Sequence, residues 1–357
     1  MIDFLVIGGG IAGTSVGSRL SAHGHVVVLE RETALAYHAS GRSAAMFEES
    51  YGLPSTVELN KASRDYHFTA NGGVTSARGL MLIGTNDNTA DFDADLKSMH
   101  LTEVSLADAH AMFPILNDTV TRVGYDAHAW DLDTDLLVQN FARDVRRAGG
   151  EVRTGAEVTA ITRTKTGWDV AVGDETLSAR NIVNAAGAWV DVVAEMAGIA
   201  PIGITPLRRS MARIPAPGGH DMSGWPMLFG PGENWYAKPD AGALIVSPAD
   251  ETPMEPMDAW ADDMVLAEGL ARYEEHVTEP VTRMLSNWAG LRSFAPDRNL
   301  VLGLDAADPT FVWMAGQGGY GFQTAPAASQ LVADLVAGDT PQIAPDMVAK
   351  MRPGRFG

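Results

Sequence analysis

An α/β protein is what the sequence predicts, with one domain assembled from both ends of the chain and a strand-rich domain inserted between. Three observations carry this reading. Near the start, the apolar run Phe4–Ile7 is followed by Gly8, Gly10 and Gly13 in a G-x-G-x-x-G pattern, and then by the apolar run Val26–Leu29 closed by Glu30. Near the end, the apolar runs Val301–Leu304 and Phe311–Ala315 lead into a second glycine-rich turn, Gly316 to Gly321. Between them, residues 200 to 290 are richer in Pro, Met and Trp and read as a run of short strands.

The first segment justifies a dinucleotide-binding βαβ unit. Phe4–Ile7 is short, wholly apolar and suited to a buried parallel strand. Ile11 to His23 has helical spacing, and Gly24 is placed as its C-terminal stop. Gly8 allows the tight turn, Gly10 lets backbone approach a pyrophosphate, and Gly13 lets the helix pack on the strand. The phosphates would lie on free N–H groups at the positive end of the helix. Glu30 follows 20 residues after Gly10, where a carboxylate can accept hydrogen bonds from a ribose diol.

The remaining elements follow in order. Arg31 to Arg42 reads as a loop, residues 58 to 70 as a helix and Gly79 to Gly84 as a strand. Leu136 to Arg147 is an amphipathic helix after the cap-like Asp133-Thr134-Asp135. Glu151–Arg153, Glu157–Thr164 and Gly167–Val172 are short strands. Asn181 to Gly187 is a buried strand ending in small residues, with a helix beyond it through Met196. The final helix covers about Thr324 to Ala337. The expected division puts residues 1–78, 136–203 and 292–357 in a Rossmann-like cofactor domain, and residues 79–135 and 204–291 in an α+β substrate domain.

Composition narrows the function classes. A net charge of −19 argues against nucleic acid or an anionic membrane surface as partner. No basic segment precedes the first apolar run, and that run is too short to cross a bilayer, so neither a signal peptide nor a transmembrane helix is expected. The absence of cysteine removes disulfides, thiolate catalysis and cysteine-linked cofactors. A cytoplasmic protein is the expectation. The nine histidines show no ligand spacing, so no metal site is expected.

Several long segments are distinctive: Tyr37-His-Ala-Ser-Gly-Arg-Ser-Ala-Ala45, Asp131-Leu-Asp-Thr-Asp135, Val183-Asn-Ala-Ala-Gly-Ala-Trp189, Tyr236-Ala-Lys-Pro-Asp-Ala-Gly242, Trp288-Ala-Gly-Leu-Arg-Ser-Phe294 and Gln317-Gly-Gly-Tyr-Gly321. In this order, from Phe4 to about Ala337, the chain resembles the FAD-dependent amine and amino-acid oxidoreductases of the D-amino-acid oxidase superfamily. Within it, the likeness is greatest to the flavin-dependent D-arginine dehydrogenases. The resemblance implies noncovalent FAD and oxidation of a D-amino acid by hydride transfer to flavin N5. The imino acid then hydrolyses to a 2-oxo acid and ammonia. The electron acceptor stays unassigned.

The same resemblance assigns site residues. Arg209 and Arg292 match the holders of the substrate carboxylate, supported by the Tyr236 hydroxyl. The Gly319 carbonyl matches the acceptor for the amine, and Tyr51 a tyrosine on a mobile lid. Gly41, Arg42, Ser43, Ala44, Ala186, Gly187 and Trp189 match positions around the flavin. Arg31, Val158, Gly318, Tyr320, Gly321 and Gln323 complete the cofactor set. Met46, Glu48, Leu80, Met227 and Phe229 form the expected side-chain pocket. Leu80 stands where the D-arginine enzyme has an acid, and Met46 where its lid has a histidine. A cationic side chain would meet apolar wall there, so an apolar or uncharged side chain is expected. Glu48 or its neighbour Glu49 could compensate from the lid. A sarcosine, glycine or proline type of secondary amino acid oxidoreductase stays open, as do a noncatalytic flavin-binding subunit and a pyridine-nucleotide dehydrogenase.

Overall fold

The computed structural model describes residues 1–356, and two large sheets organise them. The first is eight-stranded. Its central strand, Ile2–Ile7, pairs in parallel with Val26–Leu29 on one side and with Glu175–Asn184 on the other. Both faces of Ile2–Ile7 are covered. Phe4 and Val6 face the core built on the helices Ile11–Leu20 and Gly321–Ala337, while Leu5 and Ile7 face a second core with Trp168, Val190 and Trp313. A parallel strand buried on both faces needs the continuous apolar run that the sequence supplies.

Glu175–Asn184 changes neighbour midway. Its first half pairs antiparallel with Trp168–Val172, and its last residues pair in parallel with Phe311–Ala315. The strand therefore starts six residues before the expected Asn181. Its exposed first half, alternating and polar, lacks the apolar signature of its buried end. Val301–Leu304 completes this edge against Phe311–Ala315. Both of these strands have the bounds that the sequence predicts.

The second sheet is nine-stranded and carries the insert. Its backbone is the antiparallel pair Thr205–Pro215 and Ser286–Phe294, in register along the whole length. Leu80–Gly84, Met227–Phe229, Tyr236–Asp240 and Ala243–Ser247 belong to the same sheet. The division expected between residues 291 and 292 cuts through Ser286–Phe294. A nine-residue ladder with Thr205–Pro215 holds that whole strand in the second sheet. A third, small sheet joins Met46–Phe47, Trp130–Leu132 and Thr75–Ala77.

Element ends differ from expectation for local reasons. The first helix stops at Leu20, and Ser21 to His23 form a turn. The helix expected over 58 to 70 starts at Pro54, a residue favoured in a first turn. Asp133 caps Thr134–Arg147 as predicted, its side chain accepting the Leu136 N–H. The last helix begins at Gly321 rather than Thr324. Helices Thr89–Ser98, Leu106–Met112 and Asp263–Glu274 escape the periodicity reading. In the last of these, Met264 is highly exposed and blurs the apolar stripe, although Asp262 is a regular cap over Met264 and Val265. No helix of the described residues is long and apolar enough to cross a membrane.

Candidate active site

One cavity of about 510 Å³ runs from the first glycine turn to the second sheet. At its first end, Gly10 gives the helix Ile11–Leu20 no side-chain cap. The Ile11 N–H donates to the Ser40 hydroxyl at 3.1 Å, so the Ala39–Arg42 turn is tied to the helix start. The helix Gly321–Ala337 also begins without a side-chain cap, and Gly321, Phe322 and Gln323 line the same cavity. Two helix N-termini thus bring positive potential to one space, which suits a phosphate or another electron-rich group. Buried His67 fixes the second of these, its Nε2 lying 2.9 Å from the Gln323 carbonyl oxygen. Desolvation lowers its pKa to about 4, so it stays neutral.

Glu30 lies on the wall with both oxygens already accepting backbone N–H groups, from Gly9 at 2.8 Å and Glu32 at 2.9 Å. Those bonds aim the carboxylate and leave further lone pairs for a hydroxyl. Beside it, the Arg31 guanidinium stacks 4.6 Å from the Trp189 ring. Ser43, Ala44, Val158, Ala186, Gly187 and Gly318 also line the space. At Gly187, with φ +57°, a Cβ would meet no protein atom within 4 Å. An FAD-sized ligand fits such a cradle, because backbone lines it where side chains would fill it.

Arg42 lines the cavity and braces it. It donates to the carbonyls of Ala259 and Ala289 at 3.0 and 2.9 Å and pairs with Asp258. Three expected cofactor residues lie off the wall. Gly13 is buried between helix and strand, where a Cβ would overlap the Gly8 carbonyl oxygen. A Cβ on Gly41 would run into the Ala36 carbonyl. Tyr320 sits at the N-cap of the last long helix, packed on Tyr51 with ring centroids 5.4 Å apart.

The other end of the cavity holds the arginines. Arg209 stands opposite Gly290 and Arg292 opposite Leu207, so the two are diagonal neighbours on one face of the long ladder. Gly290 leaves no side chain between them. Arg209 is anchored, its Nε donating to the Asp250 carbonyl at 3.0 Å and its Nη2 lying 3.3 Å from Glu251. Burial, and then the charge of Arg292, push its pKa below the usual arginine value. The Arg292 guanidinium has no protein hydrogen bond or ion pair among the described residues. Burial lowers its pKa, but Tyr236, Tyr51, Glu233 and Glu251 outweigh that effect. Gly319 packs against it, so the carbonyl-bearing turn and the cation share one corner.

Tyr236 is buried and lines the same corner, its hydroxyl 3.5 Å from the Met211 sulfur. Leu80, Met46, Met227 and Phe229 form an apolar wall, joined by Met99 and Met211. The segment at residues 48–51 is tied to the helix Pro54–Thr69, where Asn60 donates to the carbonyls of Glu48, Glu49 and Tyr51. Glu48 turns inward onto the cavity wall. Glu49 turns outward into an ion pair with Arg64 and does not line the cavity. The Tyr51 hydroxyl donates to Glu233 at 2.8 Å. Sequence reasoning missed Glu233, Met99 and Met211. Met211 was within reach, because it stands two residues after Arg209 on the same face of a strand.

Glu48 makes a pH prediction. Its pKa is raised to about 7, first by desolvation and further by Asp126 and Glu49, against the Ser50 N–H that stabilises the ionised form. Below the ordinary value of 4.5, folded and unfolded chains both hold the proton and no penalty exists. As pH rises from there to about 7, the unfolded chain ionises freely while the folded one resists, so stability falls across that window. Glu48→Gln is therefore expected to raise the melting temperature at pH 8 and leave it unchanged at pH 4.5. Equal shifts at both pH values would remove the assignment.

Known proteins share this fold. A family model described as FAD dependent oxidoreductase matches residues 3–335. N-methyl-L-tryptophan oxidase from Yersinia pestis is 23% identical over 95% of this chain and 95% of its own. Among solved structures, glycine oxidase from Geobacillus kaustophilus superposes with a TM-score of 0.82 at 20% identity, covering 96% of each chain. L-proline dehydrogenase from P. horikoshii gives 0.81 at 19% identity, covering 99% of this chain and 97% of that one. The family match begins inside the first strand, ends inside the last long helix and so takes in both ends of the cavity; the chain belongs to the FAD dependent oxidoreductase family, with FAD as its cofactor.

Proposed function

We propose that this protein oxidises a D-amino acid with an apolar or uncharged side chain to the imino acid, which water then converts to a 2-oxo acid and ammonia. The unpartnered Arg292 guanidinium is the main support. A half-buried cation without a protein partner is costly unless a ligand anion completes it. A substrate carboxylate would receive a planar, charge-assisted fork from Arg292, with Arg209 beside it and the Tyr236 hydroxyl in support. The turn at Gly319 lies beside the same guanidinium, which supports its carbonyl as the acceptor for the amine. Carboxylate and amine held together fix the direction of the Cα–H bond. FAD, bound noncovalently in a chain without cysteine, supplies the two-electron acceptor. No side chain need act as a base if the substrate enters as the free amine.

The apolar wall supports the side-chain class. A cation at Leu80, Met46 and Met227 would lose its hydration with little in return. A second reading, oxidation of a secondary amino acid, draws on the activities named for N-methyl-L-tryptophan oxidase and L-proline dehydrogenase. Anaerobic flavin reduction by a panel tests both. D-leucine, D-methionine and D-phenylalanine are expected to exceed D-arginine and D-lysine in second-order rate by at least about tenfold, equivalent to about 1.4 kcal/mol. D-arginine as the best substrate would overturn the side-chain class. Faster reduction by sarcosine, L-proline or N-methyl-L-tryptophan would favour the second reading.

A further inference from the structure

Glu48 lines the cavity together with Met46, Leu80, Met99 and Met227, and it is about 93% buried. Its Oε1 accepts the Ser50 N–H at 2.8 Å. Its Oε2 has no hydrogen-bond partner and is covered on the cavity side as well, so a ligand donor reaches it only as the carboxyl rotates. The segment around it is held by Asn60 and by the outward pair of Glu49 with Arg64, so the backbone cannot easily turn the carboxyl away. A dry, unmatched acceptor on an otherwise apolar wall costs free energy in the empty pocket. A ligand that brings a donor recovers it.

We propose that Glu48 determines side-chain specificity by accepting a hydrogen bond from an N–H or O–H group on an uncharged substrate side chain. This rests on the carboxylate clamp of Arg209 and Arg292 described above. A neutral donor suits the site better than a cation. The methionine and leucine wall would have to desolvate a full charge, whereas an amide or indole N–H brings only a dipole. The direction of the Glu48 pKa agrees, because such surroundings disfavour its charged form.

The test uses non-oxidisable carboxylates that lack the amine, titrated calorimetrically into the FAD-loaded enzyme at pH 8. Two isosteric pairs differ only in the donor: 4-carbamoylbutanoate against 5-oxohexanoate, and 3-(indol-3-yl)propanoate against 3-(benzothiophen-3-yl)propanoate. In at least one pair the donor-bearing member is expected to bind about tenfold tighter or better. Glu48→Met should abolish that ratio, and Glu48→Gln, which keeps an acceptor oxygen, should retain most of it. Arg292→Met should weaken both members of a pair alike.

Ratios below threefold in both pairs, or a ratio that survives Glu48→Met, overturn the assignment of Glu48 while leaving the clamp intact. If 5-aminopentanoate binds tightest of all and loses its advantage in Glu48→Met, the neutral-donor class is overturned in favour of a cation. If Arg292→Met changes no affinity, or none of the carboxylates binds, the clamp reading falls and the role of Glu48 falls with it.

Discussion

Arg292→Met should weaken flavin reduction at low substrate by one to two decades while leaving folding and FAD content unchanged. The size follows from the contact removed. A charge-assisted hydrogen bond to a carboxylate contributes about 1.5–3 kcal/mol. The sparing of the fold follows from the structure. Arg292 donates to no protein group among the described residues, so Met removes no native hydrogen bond and keeps most of the apolar stem. Arg209→Met is a less clean test, because Arg209 also holds the Asp250 carbonyl and Glu251. Apparent second-order rates of anaerobic reduction, set beside the melting temperature and the flavin-to-protein ratio, separate the two effects. Reduction by amino acids that is unaltered in Arg292→Met would remove the carboxylate clamp from the site.

The features legible in the sequence are those set by local chemistry. Phe4–Ile7, Gly8, Gly10, Gly13 and Val26–Leu29 report a turn and two buried strands through spacing alone. The two arginines are another matter. Nothing local distinguishes Arg209 from Arg208, which turns to Asp250 at 3.0 Å. Only the ladder of Thr205–Pro215 on Ser286–Phe294 makes Arg209 a diagonal neighbour of Arg292, and that register joins residues more than 80 positions apart. Residues 48 and 49 pose the same difficulty at shorter range. Glu48 and Glu49 are equivalent in the sequence, yet one faces the cavity and the other Arg64, because the chain turns at residues 48–51, where the Tyr51 N–H donates to the Glu48 carbonyl. Glu233 reaches Tyr51 from a loop 182 positions away, and no motif marks it. Tyr320 misleads in the other direction. The glycines around it do line the cavity, but its own ring packs on Tyr51 and Phe294.

Gly13→Ala should strip the protein of FAD and lower its stability, although only one methyl group is added. The helix Ile11–Leu20 lies so close to the turn before it that a Cβ on Gly13 would overlap the Gly8 carbonyl, a backbone group that no side-chain rotation can clear. Overpacking of this kind costs about 1–3 kcal/mol. Relief requires the helix to lift, and lifting moves its uncapped N-terminus away from the phosphate position. The loss of cofactor is therefore coupled to the loss of stability. Gly187→Ala is the matched control. Gly187 has φ +57°, where an alanine costs about 1 kcal/mol, but a Cβ there meets no protein atom. It should fold nearly as well as the parent, and any loss of flavin would come from direct crowding of the cradle. FAD released into the filtrate after acid precipitation, together with apo-protein melting temperatures, reads both terms. Gly13→Ala with full FAD content and parental melting temperature would mean that the helix can yield at Gly8 without moving its phosphate-binding end.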